Sequence, residues 1–223
     1  MNKVLKEAIL WVFIFVPLLY LSMIWNQLPE RVPTHFGING EPNDWSDRTF
    51  LIYIPCLLGL GIYLLMLVIP RIDPKNKLLQ MGDKFYMIRL ILGVFICAIS
   101  LYTLNLSKTG TMTGNNFFMI LLGFFFAVIG NYMQAMRPNY FVGIRTPWTL
   151  ENEEVWKNTH RLGGKLWMTG GLLIVLSSIV IKEQSMMAIV FGVLIAVMVI
   201  VPVVYSYTEF KRIKGVTDER SNG

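Results

Sequence analysis

The sequence predicts an all-α membrane protein, a bundle of about six transmembrane helices forming a single integral membrane domain over residues 1–223. Two observations predict this fold class. Of the 223 residues, 54% are hydrophobic and only 15% are charged, with a mean hydropathy of +0.53, whereas a soluble domain carries roughly 25% charged residues. Apolar runs long enough to cross a hydrocarbon core of about 30 Å also recur along the chain.

Six apolar runs predict the spanning helices. They are Leu5 to Trp25, Phe50 to Pro70, Tyr86 to Leu106, Phe117 to Met133, Leu166 to Ile181 and Met186 to Tyr207. The apolar part of the first run is too long for a secretory signal, and no small-residue cleavage site precedes Asn26. We therefore predict that this run is retained as the first helix.

Charged side chains inside spanning helices often mark ion or substrate pathways. Arg89 lies about one turn inside the third run, and we expect its long side chain to extend to the headgroups. We expect no Asp or Glu within the spanning runs. That expectation disfavours a proton- or cation-coupled transporter, which usually needs an intramembrane carboxylate.

The orientation follows from the basic residues, because loops rich in Lys and Arg tend to stay on the cytoplasmic side. With the N-terminus inside, the inner segments hold fifteen of the 20 Lys and Arg residues. The four in the outer loops are Arg31, Arg48, Lys108 and Lys182. We predict a plasma-membrane protein with both ends in the cytoplasm. The net charge of +6 then belongs to an inner face lying against anionic lipid, and no direct contact with nucleic acid is predicted.

Residues 26–49 form an extracytoplasmic loop in which Asn39-Gly40 predicts a two-residue hairpin turn, because both positions tolerate positive φ. The candidate functional residues of this loop are His35, Phe36, Gly37, Gly40 and Trp45. Trp45 is expected at the level of the headgroups. His35 and His160 fall on opposite faces of the membrane, so we predict no metal site, cofactor or catalytic group.

Residues 134–165 form a cytoplasmic loop, predicted to be irregular from Arg137 to Val142, to turn at Gly143 and to start a helix at Thr146-Pro147-Trp148-Thr149. Thr149 is the predicted N-cap, because acidic residues follow it in the first turns, where the helix dipole favours carboxylates. Apolar residues from Val155 onward define one stripe, which predicts an amphipathic helix lying on the inner membrane surface. We expect this helix to turn through Gly163 and Gly164 into the fifth spanning helix.

Arg145 is the residue of this loop that the predicted helix does not explain. It stands between Ile144 and Thr146 in a tight, partly apolar turn. An arginine in such a turn normally finds a fixed acceptor, such as a helix C-terminus, a carboxylate or a lipid phosphate. Two roles stay open for it, a structural brace and a contact for a ligand or partner.

Two segments resemble a known family. The stretch "YFVGIRTPWTLENEEVWKNTHRLGGKL" is similar to the signature of the SdpI family of multipass bacterial membrane proteins, and "LPERVPTHFGINGEPNDW" resembles the short N-terminal extracytoplasmic domain that often accompanies it. The residues that carry the motif are Arg145, Thr146, Pro147, Trp148, Thr149 and Leu150, flanked by Gly143, Asn152 and Trp156.

The resemblance implies a protein of the bacterial cell membrane that protects its producer against a secreted killing peptide. In the founding system of the family it also implies that the toxin-engaged protein holds a transcriptional repressor at the membrane. The implied partners are therefore the lipid bilayer, a secreted toxic peptide and a cytoplasmic repressor.

Two other functions remain as alternatives to a non-enzymatic immunity or signalling protein. The residues Pro33, Phe36, Gly37 and Ile38 faintly parallel Pro138, Phe141, Gly143 and Ile144, as they would if the chain were two inverted three-helix halves of a small transporter or exporter. A membrane-embedded hydrolase would need a nucleophile and a base on one face, and we cannot build such a pair from these residues.

Overall fold

The structure, a computed structural model, describes residues 2–37, 41–74, 76–109 and 115–221. Within this part of the chain six segments are helical, long and apolar enough to cross a membrane, which confirms the predicted all-α multipass fold. The α-helices are α1 (Lys3–Ile24), α2 (Phe50–Tyr53), α3 (Gly61–Ile72), α4 (Asp83–Thr109), α5 (Asn115–Met133), α6 (Pro147–Glu151), α7 (Glu153–Val180) and α8 (Gln184–Ser221). Two strands, β1 (Arg31–Phe36) and β2 (Pro42–Asp47), lie between α1 and α2.

The second spanning segment joins α2 to α3 through one stretch of π-helix, Ile54–Leu60. Pro55 lies at the start of this stretch, and a proline has no backbone N–H with which to continue the α-helical ladder. The wider π turn takes up the interruption, and the Gly61 N–H donates to the Cys56 carbonyl five residues earlier. The segment therefore crosses without a break in the helix.

The predicted hairpin is confirmed. Strands β1 and β2 pair antiparallel, with Arg31 opposite Asp47 and Pro33 opposite Trp45. Val32 is fully buried and packs with apolar residues of α1, α2 and α4, which fixes the hairpin on the end of the helices. The predicted turn at Asn39-Gly40 lies outside the described residues.

The hairpin and the motif loop lie at opposite ends of the molecule. The loop between α3 and α4 contacts the motif loop, since Arg137 donates to Gln80 over 2.8 Å and Lys77 lies 3.7 Å from Glu153. The hairpin instead packs on Leu104, near the other end of α4. These contacts place the two candidate regions at opposite ends of α4, and their assignment to the two faces of the membrane stays a prediction.

The start of α1 and the end of α8 both lie at the motif end. Lys6 pairs with Asp83 at the start of α4, and Asn158, early in α7, donates to Glu209 of α8 over 2.7 Å. The start of α1 and this part of α8 therefore lie at the same end of the bundle, and the placement of both chain ends in the cytoplasm stays a prediction.

The predicted break between an interfacial helix and the fifth span is wrong. Helix α7 runs without interruption from Glu153 to Val180, so the amphipathic stretch is the first part of the spanning helix itself. Gly163 and Gly164 serve as contact points and not as a turn. A Cβ on Gly164 would lie 2.7 Å from the carbonyl oxygen of Gly130, and one on Gly163 would lie 2.5 Å from Ile144.

The expectation that Arg89 reaches the headgroups is also wrong. Its side chain is 10% exposed, and Nη1 and Nη2 each lie 2.8 Å from a carboxylate oxygen of Glu7 in α1. The Tyr63 hydroxyl donates to the same carboxylate over 2.8 Å. Glu7 also contradicts the expectation that the spanning runs hold no carboxylate. A bidentate partner within reach offsets the desolvation of the guanidinium, so the pair stays inside the bundle.

The packing argues against two inverted three-helix halves. In the first half α1 packs mainly on α4, the third spanning helix, whereas in the second half α5 packs mainly on α7, the helix that follows it. The connections differ as well, because a β-hairpin follows α1 and an irregular turn with the short helix α6 follows α5.

Candidate functional site

The irregular part of the motif loop is held by one buried amide side chain, that of Asn139. Its Oδ1 accepts hydrogen bonds from the N–H groups of Phe141 and Val142, over 2.8 and 2.7 Å. Its Nδ2 donates to the carbonyls of Arg137, over 2.8 Å, and Val142, over 3.1 Å. Because Asn139 is fully buried and both polar atoms are satisfied, this stretch has a defined path without regular secondary structure.

Gly143 lies against His160, and the contact explains why a glycine is needed. Gly143 has φ +110°, and a Cβ there would lie 2.4 Å from Nε2 of His160. That Nε2 accepts the Ile144 N–H over 3.0 Å, while Nδ1 lies 2.9 Å from the Trp156 carbonyl and donates to it. The imidazole is therefore neutral, with its proton on Nδ1. His160 joins the turn to α7.

Helix α6 begins with a reciprocal cap. Thr146 Oγ1 accepts from the Thr149 N–H over 3.2 Å, and Thr149 Oγ1 accepts from the Thr146 N–H over 2.9 Å. The N-cap is thus Thr146, and the prediction of Thr149 is wrong, because Thr149 occupies the third helical position and closes the capping box. Thr149 Oγ1 also donates to the Ile144 carbonyl over 2.9 Å. Thr146 Oγ1 lies 3.0 Å from the hydroxyl of Ser206 in α8.

Asn152 separates α6 from α7. Its backbone is extended, and its side-chain Oδ1 accepts from the N–H groups of Glu154, over 2.8 Å, and Val155, over 3.1 Å. The carboxylates of Glu153 and Glu154 follow in the first turn, where the helix dipole favours them. Asn152 is therefore the N-cap at which the long spanning helix begins.

Trp156, Trp148 and Leu150 anchor the segment on its surroundings. Trp156 is 1% exposed, its indole N–H donates to the Met136 carbonyl over 2.9 Å, and its ring stacks on His160 at 4.0 Å between centroids. The Trp148 ring is 5.0 Å from that of Tyr207 in α8. Leu150 packs against the apolar core formed by α3, α4 and α5.

Arg145 and Pro147 are the exposed members of the motif. Nη1 of Arg145 donates to the Tyr140 carbonyl over 2.7 Å, which braces the turn. This acceptor is the backbone carbonyl of a loop residue, whereas a helix C-terminus, a carboxylate or a lipid phosphate was expected. The rest of the guanidinium stands at the surface of a turn whose other side chains are largely internal.

The candidate residues of the outer loop are not brought to the motif, because they lie on the hairpin at the other end. His35 is exposed, and its Nδ1 lies 2.5 Å from the side-chain oxygen of Asn43. Phe36 and Gly37 are half-buried and Trp45 is 44% exposed. Gly40 lies outside the described residues. In the part of the chain that the structure describes, no three His, Cys, Asp or Glu side chains are grouped so that they could hold a metal ion.

Comparison with known proteins gives the same two segments. Residues 135–206 match the model of the SdpI/YfhL protein family, and residues 12–60 match a domain of unknown function, DUF1648. The first match contains every residue of the motif described above. Over these residues the chain is similar to the SdpI family.

Two relatives extend the comparison. The chain is 26% identical over 215 residues to "Immunity protein SdpI" of Bacillus subtilis (strain 168), an alignment that covers 94% of this chain and 98% of that protein. It is 36% identical over 61 residues to an uncharacterized protein of Archaeoglobus fulgidus, which covers 27% of this chain and 30% of that protein. No solved structure gives a significant match.

Three buried residues of the site are not among the residues predicted for it: Asn139, His160 and Ser206. Each is 1% exposed or less and binds the backbone or a side chain of the motif. Asn139 follows Pro138, and because this pair is typical of turns, the sequence could have indicated a turn at Asn139. His160 is one helical turn from Trp156, but only the fold reveals that both reach the turn before α6.

Proposed function

We propose that this protein is a non-enzymatic immunity and signalling protein that protects the bacterial cell membrane against a secreted antimicrobial or killing peptide. The full-length similarity to a protein named for immunity supports the class of function. The observation that carries the proposal is the motif turn, in which buried hydrogen bonds fix the backbone while Arg145 stays exposed.

A rigid turn suits a recognition role. A side chain on a fixed backbone loses less conformational freedom on binding than one on a mobile loop. Arg145 uses Nη1 on the Tyr140 carbonyl, and a guanidinium has five N–H donors, so it can also bind a carboxylate or phosphate of a partner. Helices α6 and α7 follow the turn directly and help to hold it at the surface.

The two ends of the molecule take different partners in this proposal. The motif end is the one that the basic residues predict to be cytoplasmic, so it is the end that meets a transcriptional repressor. The hairpin end, with Trp45 exposed, meets the secreted peptide at the outer surface. The spanning helices that connect the two ends supply the signal path.

Protection is tested by expressing the chain in a sensitive strain and measuring the inhibitory concentration of a panel of membrane-active peptides, including any encoded beside its gene. We expect the wild-type chain to raise this concentration and Arg145→Ala to abolish the increase at equal abundance in the membrane. Arg161→Ala removes another exposed arginine from the same end and is expected to protect like wild type. Wild-type cells as sensitive as the empty-vector strain, or full protection by Arg145→Ala, would contradict the proposal.

A second candidate is ion-coupled transport, and the Glu7–Arg89 pair is the observation that favours it. An ion pair inside a spanning bundle is a common element of transport pathways. Flux of protons and candidate cations into liposomes containing the purified protein separates the two functions. Flux that Glu7→Gln abolishes would favour transport, and the absence of flux from a protein that still protects cells would favour immunity.

A further inference from the structure

A cleft of about 270 Å³ opens between α1, α3 and the start of α4, at the same end of the molecule as the motif. Three cationic side chains line it, those of Lys3, Arg71 and Arg89, with a single carboxylate, that of Glu7. Arg89 forms the floor of the cleft through its ion pair with Glu7. Neither the motif nor the hairpin contributes to it.

The cleft has an excess of positive charge. Glu7 accepts from both terminal nitrogens of Arg89, so these two groups balance each other. Lys3 and Arg71 are exposed, and in the described part of the chain neither forms a salt bridge. Three cations against one carboxylate leave the cleft with an excess of positive charge, which favours an anionic ligand.

Arg89 adds a buried donor. Its side chain is nine-tenths buried, and its Nε has no hydrogen-bond acceptor among the described residues. Buried N–H groups are normally satisfied by the protein, by water or by a ligand. A site for an oxyanion provides such a group, a guanidinium N–H without an acceptor, together with the two exposed cations Lys3 and Arg71.

The remaining walls are apolar, and this identifies the kind of anion. Leu67, Pro70, Leu79 and Phe85 line the same cleft, and Leu79 is 57% exposed. A small soluble anion would make no use of such walls. A phospholipid matches both parts, because its phosphate meets the cations while its acyl chain lies along the aliphatic surface.

We propose that this cleft binds the headgroup phosphate of an anionic phospholipid from the adjacent leaflet. Lys3 and Arg71 hold the phosphate at the mouth, and the apolar side chains of α3 and α4 contact the acyl chain. The site is independent of the proposed immunity, since it shares no residue with the motif.

The test is native mass spectrometry of the full chain, purified in a neutral detergent and incubated with phosphatidylglycerol or phosphatidylcholine. We expect wild type to retain phosphatidylglycerol preferentially, and the double variant Lys3→Gln/Arg71→Gln to bind it at least about ten-fold more weakly. The control Lys108→Gln/Lys182→Gln removes the same charge from exposed positions at the other end and should bind like wild type. The charge-conserving double variant Lys3→Arg/Arg71→Lys should keep the preference for phosphatidylglycerol over phosphatidylcholine.

Three outcomes would overturn the proposal. One is equal retention of phosphatidylglycerol by the Lys3→Gln/Arg71→Gln variant and by wild type. Another is an equal loss in the Lys108→Gln/Lys182→Gln control, which would indicate a general charge effect. The third is displacement of the lipid by inorganic phosphate at equal concentration, which would make free phosphate the ligand.

Discussion

At the scale of single residues, the contact between Gly143 and His160 fixes the backbone of the motif turn. The imidazole needs both of its nitrogens to join the turn to α7, one to accept the Ile144 N–H and the other to donate to the Trp156 carbonyl. This arrangement leaves no room for a side chain at position 143. The glycine of the motif is therefore explained by packing, whereas the exposed Arg145 is not.

Gly143→Ala is expected to destabilise the protein by about 1–3 kcal/mol, because an L-residue at φ +110° is strained and its Cβ would collide with His160. The measurement is the midpoint of thermal unfolding in detergent. Gly192→Ala is the matched control, since a Cβ at position 192 meets nothing within 4 Å. Equal midpoints for the two variants would show that the contact with His160 does not constrain the turn.

Helices α5 and α7 pack closely, and glycines make their approach possible. A Cβ on Gly171 would lie 2.5 Å from the Gly123 carbonyl oxygen, and one on Gly164 would lie 2.7 Å from that of Gly130. The two contacts are one heptad apart on each helix and run in opposite chain directions, as an antiparallel pair requires. Small residues let backbones meet in membrane proteins, where van der Waals packing is a main source of helix association.

Gly130→Ala is expected to lower the unfolding midpoint clearly, because the new Cβ would lie 2.5 Å from the backbone nitrogen of Met168, which cannot move alone. Gly61→Ala serves as the control in another spanning segment, since a Cβ there meets nothing within 4 Å. The comparison uses thermal unfolding of both variants in the same detergent. A midpoint for Gly130→Ala at or above that of Gly61→Ala would contradict close packing of α5 on α7.

At the scale of the whole molecule, one ion pair ties the N-terminal helices together. Glu7 comes from α1, Arg89 from α4 and Tyr63 from α3, and all three meet inside the bundle. Because Glu7 and Arg89 are 82 positions apart in the chain, the pair forms only when α1 and α4 pack in this register. It separates the basic cleft from a small apolar cavity deeper in the bundle.

Glu7→Leu is expected to cost roughly 3–5 kcal/mol, because it leaves the largely buried Arg89 without its counter-ion. The double variant Glu7→Leu/Arg89→Met should recover much of this loss, since it removes both charges. Asp83→Ala breaks the neighbouring pair with Lys6, in which Asp83 is 84% exposed, and should change stability far less than Glu7→Leu does. Chemical denaturation of the four proteins measures these differences, and a double variant less stable than Glu7→Leu would refute the assignment.

Local pattern by itself determined the membrane class, the number and approximate limits of the spanning helices, and the hairpin, whereas the motif residues came from the family resemblance. These features depend on the spacing of apolar residues and on turn chemistry, which act over a few neighbouring positions. The same local reasoning placed the break in α7 at Gly163-Gly164, where a pair of glycines is compatible with either a turn or a close helix contact.

Only the tertiary structure decided between such alternatives. It assigned Gly164 to the contact with Gly130, Arg89 to Glu7 and His160 to the turn at Gly143. Each of these three contacts depends on which distant segments of the chain pack together. Inside a bundle, a charged or polar side chain adopts the conformation that gives it a hydrogen-bond or ion-pair partner. The partner of Arg89 was therefore decided by the packing of α1 on α4, which no window of neighbouring residues contains.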